Sequence, residues 1–298
     1  MKLLTFKKEN TYALGVKTAE GIIDVKKAVE VFPENGIATE MMELIEGGDE
    51  AVRRLEQFIK SLDHRGAGFV KKEEEIEWGP AVTKPSKIIC VGLNYKKHAD
   101  ETKSKYPEAP ILFNKFDNAL TGHLTEIEVP RTTERLDHEV ELGIVIGKTG
   151  KFIEEENALE FVLGYCTTND LSARDIQKRS PQWMLGKTND GFAPVGPYLV
   201  TKNEVDNPNE LQLTTTVNGE IRQNSNTADM IFNCEQLISF ISQYMTLKPG
   251  DLIMTGTPEG VILGRPIEER VYLQPGDTVT VEVEKLGALT NTFIEDKE

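Results

Sequence analysis

Leu136–Gly147 reads LDHEVELGIVIG. Val140, Leu142, Ile144 and Ile146 recur every second residue, the spacing of a β-strand, and their apolarity predicts a buried one. Glu139 and Glu141 would then share one face, about 6.6–7 Å apart along the backbone. Glutamate is depleted in strands, and two like charges repel at a cost that grows with burial. The fold must therefore compensate two carboxylates. Water, a Lys or Arg, a shared proton or a metal ion would each do so.

From about residue 80 onward the chain reads as strands: KIICVGLNY, ILFNKF, EIEVP, FVLGYCTTND, PVGPYLV, LQLTTTVNGEIRQ, LIMTGTPEGV and TVTVEVEKLG. Asn218-Gly219 between two strand-like runs is a type I′ hairpin signal. LKPGD (247–251) and LQPGD (273–277) are Pro-Gly turns ahead of strands. Helices are expected at about 154–161, 172–180 and 234–245, with Ser172 as N-cap of the second. Before residue 80, KLLTF, YALGVKT and GIIDV read as short strands. A helical pattern over 38–62 is interrupted at Gly47-Gly48, with Asp49 able to cap its second piece. The polar stretch GAGFVKKEEEIEWGP, whose charge run reads as a solvated surface, places a boundary near 80. The expectation is a small α+β N-terminal domain, 1–80, followed by a mostly β domain, 81–298.

Charge narrows the partners. With 34 basic and 49 acidic residues in 298, the net charge is −15, which argues against nucleic acid or anionic lipid. An anionic small substrate would need a local cationic pocket. No run of about 18 apolar residues suggests a membrane span, and MKLLTFKKENTYALG reads as a first strand rather than a signal peptide. Cys90, Cys166 and Cys234 are scattered, without zinc-type spacing, and read as core residues of a cytoplasmic protein.

Candidate chemistry gathers at strand ends. FVLGYCTTN runs into Asp170, 29 residues after Glu141. Two Glu and an Asp form an oxygen donor set suited to Mg²⁺ or Mn²⁺, although an E-x-E pair alone also fits a solvated strand face. Arg174 and Gln177 lie i, i+3 on the following helix, and so do His98 and Glu101 in VGLNYKKHADE. A carboxylate orienting an imidazole is what a general base needs, and an ordinary surface pair has the same spacing. Lys115 in ILFNKF, Lys187 in LGKTND and the loop TGTPEG (255–260) complete the candidates. His138 is assigned to the opposite strand face, His123 to a loop without a role, and His64 to the surface.

GLNYKKHADE, LDHEVELGIVIGK, YCTTNDLSARD, LGKTND, VNGEIRQ and MTGTPEGV, in this order, resemble the motifs of the fumarylacetoacetate hydrolase family. The resemblance spans about residues 81–298. It implies a mixed β-roll or sandwich catalytic domain, a homodimer, and one Mg²⁺ or Mn²⁺ per site. The ligands carry over as Glu139, Glu141 and Asp170, the acid–base pair as His98 and Glu101. Lys187 matches the lysine beside the metal, and Lys115, Arg174, Gln177 and Thr257 match residues that contact substrate or order the site. The expected reaction is hydrolysis of a C–C bond in a small acylpyruvate or 1,3-dicarbonyl acid through a metal-stabilised enolate, as in aromatic catabolism. Decarboxylation of oxaloacetate, isomerisation of 5-carboxymethyl-2-hydroxymuconate or 2-hydroxyhepta-2,4-diene-1,7-dioate, and a non-catalytic metal scaffold are the alternatives.

Overall fold

The computed structural model describes residues 1–62 and 68–297; His64 lies outside the described residues. Among these, eleven strands form one mixed sheet. Its centre is the run Ala193–Thr201, Val162–Asn169, Val140–Ile146, Leu252–Met254, Ile88–Gly92 and Ile111–Lys115. Neighbours pair antiparallel except Leu252–Met254 with Ile88–Gly92, which run parallel. A second sheet of five strands holds Gln212–Val217, Glu220–Asn226, Thr278–Val283, Gly287–Glu295 and Glu126–Val129.

Period-two alternation explains the layers. Val140, Leu142, Ile144 and Ile146 face a core shared with Leu213, Val281, Leu289 and Phe293 of the five-stranded sheet. Val145 points the other way, with Cys90, Cys166 and Leu199, into a core closed by Leu44, Ile45, Leu55 and Phe58 of the helix Met41–Ser61. Both sheet faces are thus covered, as near-continuous apolar strands require. The mixed-sheet, helix-poor architecture agrees with the expected fold class. No described helix is long and apolar enough to cross a membrane.

The N-terminal strands extend the same sheet. Lys2 and Leu3 pair with Val200 and Leu199, so hydrogen bonding runs continuously across the expected boundary near residue 80. The Met41–Ser61 helix bends at Gly48, whose φ of 60° leaves the helical region, at the interruption read from Gly47-Gly48. Asn218 and Gly219 both have positive φ, 52° and 83°, between Val217 and Glu220, as a type I′ hairpin demands. All three cysteines are buried and free.

Three local expectations need correction. Ser172 does not cap a helix: it pairs with Asp137 in a two-stranded ribbon, its Oγ donates to Asp170 O at 2.9 Å, and Ala173 holds the cap position. The helix shrinks to Arg174–Gln177 because sheet pairing claims its first residues. Residues Glu155–Phe161 form 3₁₀ turns rather than an α-helix. Finally, the strand expected from Leu136 is broken at His138-Glu139. There the Glu139 amide donates to Asn169 Oδ1 and the Val140 amide to Gln223 Oε1, side chains replacing the ladder.

Candidate active site

Where the regular strand begins, Glu139 and Glu141 enter one cavity together with Asp170, from the end of the neighbouring strand. The Asp170 amide donates to Glu139 O at 2.9 Å, which locks the two strand ends. One oxygen from each of the three carboxylates lies within 4.8 Å of the others. Their exposures are 5%, 2% and 0%.

Three buried carboxylates this close cannot all stay charged unaided. Two cations that line the cavity provide part of the compensation, and a third, Lys115, pairs with Asp170 from behind. Lys187 Nζ donates to Glu139 Oε2 at 2.6 Å and to Asp170 Oδ2 at 2.7 Å. Arg174 donates to Glu139 Oε1 at 2.6 Å and to Asp137 Oδ2 at 2.8 Å. Burial alone would raise the Glu139 pKa, but Arg174 and Lys187 outweigh it and hold the carboxyl below its ordinary range. Glu141 is pushed the other way, well above the usual value, by burial and by the charges of Asp170 and Glu139. Among the described residues, its carboxylate accepts one hydrogen bond, from the Gly256 amide, 2.9 Å from Oε2. Asp170 Oδ1 has no hydrogen-bond donor in line, although Lys115 Nζ stands 2.6 Å away. Converging hard oxygens, one of them without a donor and one carboxylate repelled by two others, form a set that a divalent cation fits.

The cavity is small, about 170 Å³, well below the range typical of drug-sized ligands. His98 sits in its wall beside Thr257, Gln177 and Trp183. His98 Nδ1 lies 2.7 Å from Glu101 Oε1, and Glu101 Oε2 accepts from the Gly260 amide at 2.9 Å. The carboxylate is thereby fixed from the far side. A protonated Nδ1 donating to Glu101 leaves Nε2 as the basic atom of the ring.

The remaining expected residues fall into two groups. Arg174, Gln177, Lys187 and Thr257 line the cavity. Lys115 does not: its ammonium is enclosed by the carbonyls of Leu171, Phe192 and Lys187 and by Asp170 Oδ1. It orders the strand ends from behind. His138 is buried, with Nδ1 3.2 Å from Gln223 Oε1. His123 accepts the Thr290 amide at 3.0 Å and meets the Trp78 ring edge-on.

Sequence reading missed two polar residues. Asp137 receives Arg174 Nε and the amides of Ile262 and Leu263, so it aims the arginine at Glu139. Gln223 accepts from the Val140 amide and Thr215 Oγ1, and donates to Pro258 O and to Thr257 Oγ1. Its amide orientation is fixed by these partners. Thr257 Oγ1 therefore accepts from Gln223, and its own proton remains available to the cavity. Both lie inside the resembling motifs LDHEVELGIVIGK and VNGEIRQ. That placement was the one available signal.

Comparison with known proteins identifies the family. Residues 87–294 match the family described as fumarylacetoacetate hydrolase, C-terminal. Over 300 residues the chain is 38% identical to the mitochondrial oxaloacetate tautomerase of Xenopus laevis, covering 99% of this chain and 90% of that protein. Among solved structures, fumarylacetoacetate hydrolase of Exiguobacterium antarcticum superposes with a TM-score of 0.82 at 34% identity, over 99% of this chain and 100% of that one. The 5-carboxymethyl-2-hydroxymuconate delta-isomerase of Mycobacterium smegmatis gives 0.75 at 31%, over the full length of both. A triad of buried carboxylates, an imidazole–carboxylate pair and a match of this extent lead to one assignment: the chain belongs to the fumarylacetoacetate hydrolase family.

Proposed function

We propose that this protein is a divalent-metal-dependent enzyme that moves a proton on a small 2-oxo dicarboxylic acid, interconverting the keto and enol forms of oxaloacetate. The observation that carries this reading is the His98–Glu101 pair, 2.7 Å apart, in the wall of the same small cavity as the three carboxylates. A proton shuttle needs one positioned base and a site for developing negative charge, and nothing larger.

Glu139, Glu141 and Asp170 would hold Mg²⁺ or Mn²⁺, which supplies Lewis-acid polarisation of the substrate carbonyl when bound. His98 takes a proton from the C3 methylene, between the keto carbon and the distal carboxylate, and a proton is placed on the keto oxygen to give the enol; the reverse passage returns a proton to C3. Glu101 keeps the ring in one tautomer and balances the imidazolium charge. Lys187 pairs with Glu139 and Asp170, helps to keep Glu139 ionised, and adds positive charge beside the reacting oxygen. Thr257 offers its hydroxyl proton to the substrate carboxylate.

Hydrolytic C–C cleavage is the second reading. The same dyad would activate water, and the Exiguobacterium neighbour is called a hydrolase. Ultraviolet absorbance of enol-oxaloacetate, followed with Mg²⁺ or Mn²⁺ and again with EDTA, separates the two. Metal-dependent relaxation of the enol, lost in His98→Ala, is the expected result. Pyruvate release from acetylpyruvate with no effect on enol-oxaloacetate would overturn the first reading in favour of the second.

A further inference from the structure

A second groove, of about 530 Å³, opens beside the catalytic cavity, and Lys178 lines both. Lys103, Arg265 and Arg270 share this groove. Surface cations elsewhere on this acidic chain are commonly paired, as Lys7 is with Glu77, Arg131 with Asp296 and Lys285 with Asp206. Among the described residues, Lys178, Lys103 and Arg265 make no side-chain ion pair or hydrogen bond, and the Arg270 side chain donates only to the Arg265 carbonyl, at 2.8 Å. Glu268 is the acidic residue of the groove that has no assigned partner; Glu101 is held by His98 and Gly260.

Lys178 itself is exposed and stands among like charges. Partial burial, and then Arg174, Arg270 and Arg135, push its ammonium below the ordinary lysine value. Unpaired cations gathered at a mouth, in a protein of net charge −15, raise the local concentration of anions and leave a position for a carboxylate. The cations inside the cavity cannot take it, because Arg174 and Lys187 are already engaged with Glu139, Asp137 and Asp170.

We infer that Lys178 is a specificity residue that receives the distal carboxylate of a dicarboxylic substrate, backed by the positive groove formed with Lys103, Arg265 and Arg270. This rests on the 2-oxo dicarboxylic acid reading and names the residue that recognises the second carboxylate. Each substrate would lie with its 2-oxo carboxylate end at the triad and its far end at the mouth.

The test is calorimetric binding of malate and of lactate to the Mg²⁺-loaded protein. The two share a 2-hydroxy acid end, and malate adds the distal carboxylate. Malate is expected to bind up to roughly fivefold tighter than lactate, the upper range for one partly solvated ion pair. Lys178→Met, which keeps the aliphatic stem, should abolish that advantage and leave lactate unchanged. Equal affinities in the wild type, no malate binding, or a preference that survives Lys178→Met would overturn the inference. No turnover is needed, so an enzyme inactive on enol-oxaloacetate would sink the proposed reaction while this contrast still decides the role of Lys178.

Discussion

Glu141 is the carboxylate on which two demands conflict. It is needed as a cation ligand, yet Glu139 and Asp170 repel its charge. Glu141→Gln should therefore leave the metal-free protein close to wild-type stability, within about 0.5 kcal/mol, since the amide keeps an oxygen for the Gly256 amide. The same variant should lose stabilisation by Mn²⁺. In the wild type, metal at a hundred times its dissociation constant is worth about 2.7 kcal/mol. Thermal melts with and without Mn²⁺ check both halves, and a Mn²⁺-dependent shift preserved in the variant would remove Glu141 from the ligand set. Thr257 carries a smaller claim. Thr257→Val keeps the shape and leaves Gln223 Nε2 bonded to Pro258 O at 2.9 Å, so the fold should survive. Losing one hydroxyl donor to an anionic substrate should raise KM about tenfold, the upper end for a hydrogen bond to a charged group being larger. Steady-state kinetics showing an unchanged KM would mean that the hydroxyl does not touch substrate.

Helices and loops do the positioning. The short helix Lys96–Glu101 carries the dyad, and the loop after Leu252–Met254 braces it from the other side. Gly264 in that brace is a tight point: a Cβ there would stand 2.3 Å from the Glu101 carboxylate carbon. Gly264→Ala should displace Glu101 from His98 and lower kcat about a hundredfold, the lower range for general-base catalysis. Mn²⁺ affinity should be unchanged, because no triad member moves. A loss of metal affinity equal to the loss of rate would instead indicate general collapse of the loop. These elements also divide what the sequence could reveal from what it could not. Strand alternation at Val140–Ile146, the hairpin at Asn218-Gly219 and the bend at Gly48 are local, so period and turn chemistry expose them. The i, i+3 pairing of His98 with Glu101 is likewise a property of one helical turn. Gln223 reaching the Val140 amide, Asp137 gripping the loop amides of Ile262 and Leu263, and Lys115 serving as a cage cation depend on contacts 56 to 126 residues apart. No local pattern encodes those. The Ser172 cap failed for the same reason, since pairing with Asp137 is a long-range choice.

Across the molecule, the N-terminal segment is welded to the sheets partly through one neutral imidazole. His123 brings together Trp78, from the segment ahead of the catalytic strands, and the strand Gly287–Glu295, through ring contact at 5.0 Å and the Thr290 amide at 3.0 Å. The amide bond requires Nδ1 to stay unprotonated. Burial lowers the His123 pKa from 6.5 to about 4, with Glu73 acting weakly in the opposite direction. A depressed histidine pKa means that the unfolded chain takes the proton first. Its contribution to stability is therefore complete above pH 6.5 and is lost as pH falls toward 4. The unscreened limit is about 1.36 kcal/mol per pH unit. Because the ring is partly solvated, about 1–2 kcal/mol across the window is the realistic size. His123→Asn keeps an acceptor for the Thr290 amide but does not titrate in this range. Denaturant melts of EDTA-treated protein from pH 7 to 4 should show the wild type losing stability relative to His123→Asn, with the difference growing only below pH 6.5. Parallel curves would mean that the ring is protonated without cost, and that the junction of the N-terminal strands with the catalytic sheets is held by its other contacts, among them Trp78 packing, the Lys2–Val200 and Leu3–Leu199 pairs and the core under the Met41–Ser61 helix.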